Sequence, residues 1–272
     1  MSASIAMQSP TLEQCLKQWR NWQLEPSASE APVVARKLNQ GKTNQSYLLK
    51  TAQHSYVLRI HADSALHSID RQQEYRIQQA VKKMGLGTSI YYQSPNDSYR
   101  VSAFIEGDTV TQLNVLNNDQ LVQLCEAIKK LHSVSIDLPI FSYSQQLTRY
   151  WQMLNQSTSV TTADISEQAS MLSLCLKYEN DYGRRRSLCH HDLHGGNIVL
   201  SGQGSASKKV IFLDWEFAGF GIPSFDFAAL ACELAIDIVD ISRLCGISCN
   251  ELNRATSVYR YICEVYNRAR VC

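Results

Sequence analysis

The 272 residues contain no Gly-x-Gly-x-x-Gly and no Walker A lysine loop. No two cysteines stand as Cys-x-x-Cys, and no apolar run approaches the 18 residues of a membrane span. Charge is also scarce. Charged side chains make up 19% of the chain, against about 25% in an average soluble domain. The 26 basic and 25 acidic residues leave a net charge of +1, which removes any global attraction to nucleic acid or anionic membrane. With only 12 glycines and 6 prolines the chain is not collagen-like, and at 44% apolar it is not disordered. Nine cysteines are present, but their number is odd and several fall in apolar helical patterns. The expectation is buried, reduced thiols rather than a disulfide framework. Met1 to Ala6 lack the basic-then-apolar order of a signal peptide. A cytoplasmic protein with no nucleic-acid partner, no membrane span and no obligate protein partner is therefore expected.

Periodicity divides what remains. Leu12, Cys15, Leu16 and Trp19 predict a short helix over 11–22, broken by a segment with Pro26 and Pro32. Val33 begins a first strand, and 45–50 with 55–60 read as an antiparallel hairpin. Ile69, Ile77, Ala80, Val81 and Met84 predict a helix over 69–84 that stops at Gly85 and Gly87. Two more strands near 90–92 and 99–105 complete a five-stranded antiparallel sheet with one helix. Beyond Glu106-Gly107-Asp108 the strands nearly vanish. Helices are expected near 121–131 and 144–154, and after a polar loop at 155–169 that leads into the stretch carrying Met171 to Tyr178. A short hairpin of 197–200 with 210–213 follows, then helices at 224–239 and 250–268. The fold class is α+β, with a sheet-rich part over 1–105 and a helix-rich part over 106–272.

The most informative stretch is Cys189-His190-His191-Asp192-Leu193-His194-Gly195-Gly196-Asn197. It spaces a carboxylate and an amide oxygen as Asp-x-x-x-x-Asn on a glycine-containing turn. A second carboxylate, Asp214, ends the apolar run Ile211-Phe212-Leu213. Asn197 and Asp214 offer hard oxygen ligands suited to Mg²⁺, and Asp192 is left to meet a hydroxyl, the division of labour that phosphoryl transfer requires. Three histidines beside Cys189 do not have zinc spacing, and His190 is expected as a core residue bracing the turn. Arg184-Arg185-Arg186 lacks an aromatic platform or wider basic stripe and reads as a solvated corner.

The block from His190 to Asn197, followed by Asp214-Trp215-Glu216-Phe217-Ala218-Gly219, resembles the catalytic core of the aminoglycoside phosphotransferase and choline kinase superfamily. It is most similar to bacterial thiamine kinases and choline/ethanolamine kinases. The resemblance implies a protein-kinase-like two-lobed fold with ATP and Mg²⁺ as cofactors. It places Gly41, Thr43 and Asn44 in a nucleotide-covering loop and Arg59 on the phosphates, with Glu74 as its ion-pair partner. Ser102 and Phe104 fall at the lobe connection beside the adenine. Asp192 becomes the catalytic residue, Asn197 and Asp214 the metal ligands, and His190 and Asp226 supports. Leu131-His132-Ser133 matches a structural helix-end pattern.

The acceptor implied is a small-molecule alcohol, because no activation loop or peptide-docking segment separates Asp214 from Asp226. Trp151, Trp215 and Phe217 offer ring faces, and Glu216 and Glu233 offer charge to a cation, with His194 nearby. Choline, ethanolamine and thiamine fit such surroundings. Two alternatives stay open, an aminoglycoside or sugar-like acceptor and a nucleotide-binding pseudokinase. Only 39 residues follow Glu233, shorter than the helical tail expected of the family, which bears on the acceptor pocket.

Overall fold

The computed structural model describes residues 9–38, 44–61, 69–113, 115–157, 161–202 and 208–271. The chain separates into two compact units, Met1–Gly107 and Asp108–Cys272.

The first unit is an antiparallel sheet of β1 (Val33–Lys37), β2 (Gln45–Lys50), β3 (Ser55–Ile60), β4 (Ile90–Gln93) and β5 (Tyr99–Ala103), in the order β1-β2-β3-β5-β4. Alternation decides its faces. Tyr56, Leu58 and Ile60 of β3 lie opposite Ala103, Val101 and Tyr99 of β5. These side chains bury against Cys15, Trp22 and Leu24 of the N-terminal segment. Each fully buried Leu or Phe of such a layer contributes about 1.5–3 kcal/mol. The opposite face carries Val57 and Arg59 of β3 beside Ser102 and Arg100 of β5. Helix α2 (Arg71–Lys83) follows, starting at Asp70, whose carboxylate accepts from the Gln73 N–H. It buries Arg71, Glu74, Ile77, Gln78 and Val81, one stripe of a helix.

The expected helix over 11–22 is shorter. Thr11 caps α1 (Leu12–Leu16), but Gln18 leaves helical geometry (φ −93°, ψ 7°) and a 3₁₀ turn spans Trp19–Asn21. The turn drops Trp22 and Leu24 into the sheet's core, where the Trp22 indole N–H meets the Tyr99 hydroxyl at 3.4 Å.

The second unit opens with β6 (Asp108–Thr109), α3 (Val110–Leu113) and α4 (Asn118–His132). Helices α5 (Tyr143–Ser157) and α6 (Thr162–Tyr182) follow, then β7 (Ser187–Cys189), β8 (Ile198–Ser201), β9 (Lys209–Phe212) and β10 (Gly219–Gly221). It ends in α7 (Pro223–Glu233), α8 (Ile238–Cys245) and α9 (Cys249–Val271). Strands β6, β8 and β9 form one small sheet, and β10 with β7 another. Helix α7 is buried continuously from Ser224 to Ala231. It packs against α9, whose buried Leu252, Ala255, Val258, Tyr259, Ile262 and Val265 step by three and four.

Three expectations for this unit are corrected. The polar stretch 155–169 is not a loop throughout, because α6 already begins at Thr162. Thr161 and Asp164 form a capping box that starts the helix nine residues before Met171, where its buried stripe begins. The helix expected over 224–239 is two helices. Ala235 takes a left-handed conformation (φ 52°), and Asp237 then caps α8 through the Val239 N–H. Strands β6 and β10 were not anticipated. They are two and three residues long, too short to show any period. The Arg184–Arg186 corner is tied down, with Arg185 pairing to Glu251 at 2.9 Å and Arg186 donating to the Phe141 carbonyl.

Among the described residues no helix is long and apolar enough to cross a membrane, and the eight described cysteines are free.

Candidate active site

In the second unit the turn after β7 is held from below by one carboxylate. Asp226, fully buried on α7, accepts from the backbone N–H groups of His190 and His191 at 2.9 Å each. His132, the last residue of α4, meets the same carboxylate through Nε2 at 3.0 Å. Burial alone would raise the Asp226 pKa. The His132 hydrogen bond and the surrounding donors outweigh it and hold the carboxyl down to about 2.

His190 has no exposed surface and its ring packs on Trp215 with centroids 4.7 Å apart. Its Nε2 lies 2.8 Å from the Leu213 carbonyl, which can only accept, so Nε2 carries the proton. Its Nδ1 then accepts the Asp192 N–H at 3.3 Å. His191 takes a left-handed backbone (φ 65°), uncommon for a residue with a side chain. Its Nδ1–H donates to the Phe217 carbonyl at 3.0 Å, and Nε2 accepts from the Tyr143 hydroxyl at 3.2 Å. Tyr143 Oη in turn accepts the Ile222 N–H. Both ring nitrogens are thus committed to a neutral imidazole, and burial pushes the His191 pKa down to about 4.

On this support Asp192 is one-third exposed at its side chain. The Asn197 amide NH₂ donates to both its backbone carbonyl (3.0 Å) and its Oδ2 (2.9 Å). With the NH₂ so committed, Asn197 Oδ1 remains as an oxygen donor. The Asn197 carbonyl accepts the Leu213 N–H at 2.8 Å, which puts the turn beside the next residue, Asp214. Asp214 is left-handed as well (φ 61°). Burial raises the Asp192 pKa and the Asp214 charge adds to it, while His194, His190 and the Asn197 amide pull the other way. His194 accepts the Gly196 N–H on Nδ1 and presents Nε2 3.8 Å from Asp192. Gly195 has to be glycine, since a Cβ there would stand 2.7 Å from Thr111 Oγ1 and 3.0 Å from its backbone nitrogen. An amide oxygen and a carboxylate are hard oxygen donors of the kind that suits Mg²⁺.

The remaining candidates for the second unit are dispersed. Trp151 is buried and the Arg268 guanidinium already lies over its ring, 5.0 Å from the centroid. Trp215 is buried against His190 and Phe212. Glu216 is half-buried and Glu233 exposed, the latter accepting from the Tyr259 hydroxyl at 2.7 Å. Tyr150, whose ring sits 5.0 Å from that of Tyr266, feels the Asp192 charge, as does Cys263.

In the first unit Arg59 and Glu74 come together, in wider company than expected. Glu74 ion-pairs with Arg71 at 2.8 Å and with Arg100 at 2.5 Å. Burial would raise its pKa, but Arg100, Arg59 and Arg71 hold it down to about 2. Asn44 is buried and accepts from Arg71 at 3.4 Å. Gly41 and Thr43 lie outside the described residues. Ser102 and Phe104 are half-buried, and the Phe104 N–H donates to the Ser55 carbonyl. Sequence reasoning missed Arg71, Arg100 and the role of His191. Arg71 had a signal, its i,i+3 spacing to Glu74. Arg100 is revealed only by strand register.

A carboxylate steadied by an asparagine, with a second carboxylate whose charge reaches it, suits phosphoryl transfer to a hydroxyl. The α+β order, an antiparallel sheet first and helices after, is the fold of solved choline kinase structures. Residues 35–267 match the family model for choline/ethanolamine kinase, and the chain belongs to that family. Protein LicA of Haemophilus influenzae is 25% identical over 219 residues, which cover 79% of this chain and 62% of that protein. The crystal structure of choline kinase LicA from Streptococcus pneumoniae superposes with a TM-score of 0.70 at 19% identity, covering 88% of this chain and 86% of that one. A structure of LicA in complex with AMP gives 0.73 at 21% identity, covering 90% and 86%.

Proposed function

We propose that the protein transfers the γ-phosphoryl group of ATP to the hydroxyl of a small cationic alcohol of the choline or ethanolamine type. The observation that carries this is the double use of Asn197. Its amide NH₂ fixes the Asp192 carboxylate, and that same commitment leaves its Oδ1 as an oxygen donor. Asp192 orients the acceptor hydroxyl and takes its proton as the oxygen bonds to phosphorus and ADP departs. Desolvation favours that role, since it makes the carboxylate a better proton acceptor than an exposed one. Asn197 and Asp214 would hold Mg²⁺, which supplies charge neutralisation on the transferring phosphates. Arg59 is assigned to the nucleotide's phosphates and Glu74 to keeping Arg59 in place.

For the acceptor, the exposed Glu233 with its Tyr259 hydrogen bond supplies negative charge, and the half-buried Tyr266, packed on Tyr150, a ring suited to an ammonium group. Trp151 is not needed in this assignment because Arg268 covers its ring.

The test is ADP release by the purified chain with Mg·ATP and, separately, choline, ethanolamine, thiamine and kanamycin, each beside D192N. Turnover dependent on choline or ethanolamine, lowered about 10²-fold or more in D192N, is the expected result. Equal turnover in D192N would remove Asp192 from the chemistry. A preference for thiamine or kanamycin would move the acceptor class.

A further inference from the structure

Arg59 and Arg100 are directly opposite each other on neighbouring antiparallel strands, β3 and β5. Two like charges in that relation repel, since their Cβ atoms stand only about 5 Å apart. Here both are on the α2 face, and both act on the same buried carboxylate, Glu74. That carboxylate divides its oxygens. Oε1 faces the Arg100 guanidinium and Oε2 the Arg71 guanidinium, with all three side chains at most 6% exposed. Arg71 reaches on to Asn44 Oδ1, the residue that follows the 41–43 stretch and precedes β2. The result is a continuous run from Asn44 through Arg71 and Glu74 to Arg100, with Arg59 alongside.

We propose that Arg71 and Arg100 are positioning residues for the nucleotide's phosphates, acting together with Arg59 through the shared Glu74 carboxylate. The inference rests on the kinase reading above and extends it from one arginine to three. Stability alone does not call for such a group. Burying guanidinium and carboxylate charges costs desolvation that apolar side chains of similar size would not incur. The cluster does suit a polyanionic ligand. Its guanidinium groups are already desolvated and fixed in direction, so their attraction for phosphate is stronger than that of exposed lysines. Glu74 sets the angle of each arginine against the others. Loss of Arg100 therefore removes one positive charge and also frees Glu74 to pull Arg59 away from its working position.

A positioning role for phosphates makes a graded prediction that a purely structural role does not. Titration of the full chain with Mg·ATP, Mg·ADP and AMP measures it, in wild type, R100M, R100K and R71M, each checked for cooperative thermal unfolding. R100M and R71M are expected to weaken ATP about tenfold and ADP by less, and to leave AMP within about twofold. R100K keeps the charge and loses the fork, so its ATP loss is expected to be smaller. In the coupled assay the KM for ATP rises while the KM for the acceptor stays unchanged. An equal loss for all three nucleotides, or none in both R100M and R100K, overturns the proposal and leaves the kinase reading standing. A wild type whose affinity does not rise from AMP to ATP overturns both.

Discussion

Removing the charge of Asp226 is the sharpest single perturbation that the second unit offers. The carboxylate is fully buried and accepts three hydrogen bonds, from the backbone of His190 and His191 and from His132. In D226N the amide oxygen can keep the two partners of Oδ2. The new NH₂ then points at the His191 N–H, donor against donor. A buried N–H left unpaired costs about 1–3 kcal/mol, and the lost ionised acceptor adds to it. Proton linkage measures the same loss a second way. The folded pKa is held down to about 2 from an ordinary 3.8, which corresponds to about 2 kcal/mol of stability at neutral pH. The two routes agree on a loss of about 2 kcal/mol, or roughly 4–8 °C in Tm for a chain of this size.

The sign follows from the depressed pKa. The contribution is fully present above the unfolded value near 4 and is lost as pH falls toward 2. Urea unfolding of wild type and D226N from pH 7 down to pH 3 measures it. The gap between the two proteins should be constant from pH 7 to about 5 and then narrow. Because His190 and His191 lead directly into Asp192, kcat in D226N should also fall, by about tenfold or more. A stability gap under about 0.5 kcal/mol, or one that does not narrow below pH 5, would refute the brace.

Two further predictions concern His191. Gly221→Ala places a Cβ 2.1 Å from His191 Nε2 and 2.9 Å from the Tyr143 hydroxyl, so it should cost about 1–3 kcal/mol by overpacking and lower kcat. Circular-dichroism melts and initial rates would show it, and an unchanged Tm would mean that the β10–His191 contact is loose. His191 itself is kept neutral, its pKa lowered from 6.5 to about 4 by burial. The unfolded chain therefore takes up a proton that the folded one refuses, and stability falls by about 1.4 kcal/mol per pH unit between about pH 6 and 4. His191→Asn tolerates the left-handed backbone and should flatten that slope in urea melts at stepped pH, whereas an unaltered slope would place the titration elsewhere.

Much of the candidate site's geometry was legible in the sequence, because several of its residues sit within one short stretch. Asp192 and Asn197 are five residues apart on a single turn, and Asp214 ends a recognisable apolar run, so local sequence carried their relation. Asp226 and His190 were readable by resemblance. The strands of the first unit were readable because β2 carries Tyr47, Leu48 and Leu49 and β3 carries Tyr56, Val57, Leu58 and Ile60, aromatic, apolar and in β3 β-branched runs on either side of a short polar turn. Relations that depend on three-dimensional register were not readable. Nothing within Tyr99-Arg100-Val101 says that Arg100 lies across from Arg59. Helix boundaries failed where a polar signal outranked the apolar period. Thr161 and Asp164 start α6 inside a Ser/Thr-rich tract, and the left-handed Ala235 divides a helix that composition alone would continue. The tryptophans misled for a different reason. Their type suits a cation cage, but each lies inside the packing, Trp151 beneath Arg268 and Trp215 on His190.

Three buried or half-buried carboxylates show how environment divides labour among identical groups. Glu74 is surrounded by guanidinium charge, and Asp226 by neutral N–H donors and an imidazole. Both are held well below their ordinary pKa, to about 2. A group that stable as an anion is a poor proton acceptor, which suits the two for holding other residues still. Asp192 differs in sign. Its donors are fewer, Asp214 stands close by, and burial dominates, so its pKa moves up. Pairs of acids pushed apart in this way identify which one handles protons. The same logic says that extra stabilisation of Asp192 would be harmful. A new cation placed against its free oxygen would lower its pKa toward that of Asp226 and weaken it as the acceptor of the hydroxyl proton, even though the fold would become more stable. In the proposed function, the exposed third of Asp192 is the side from which a hydroxyl would approach.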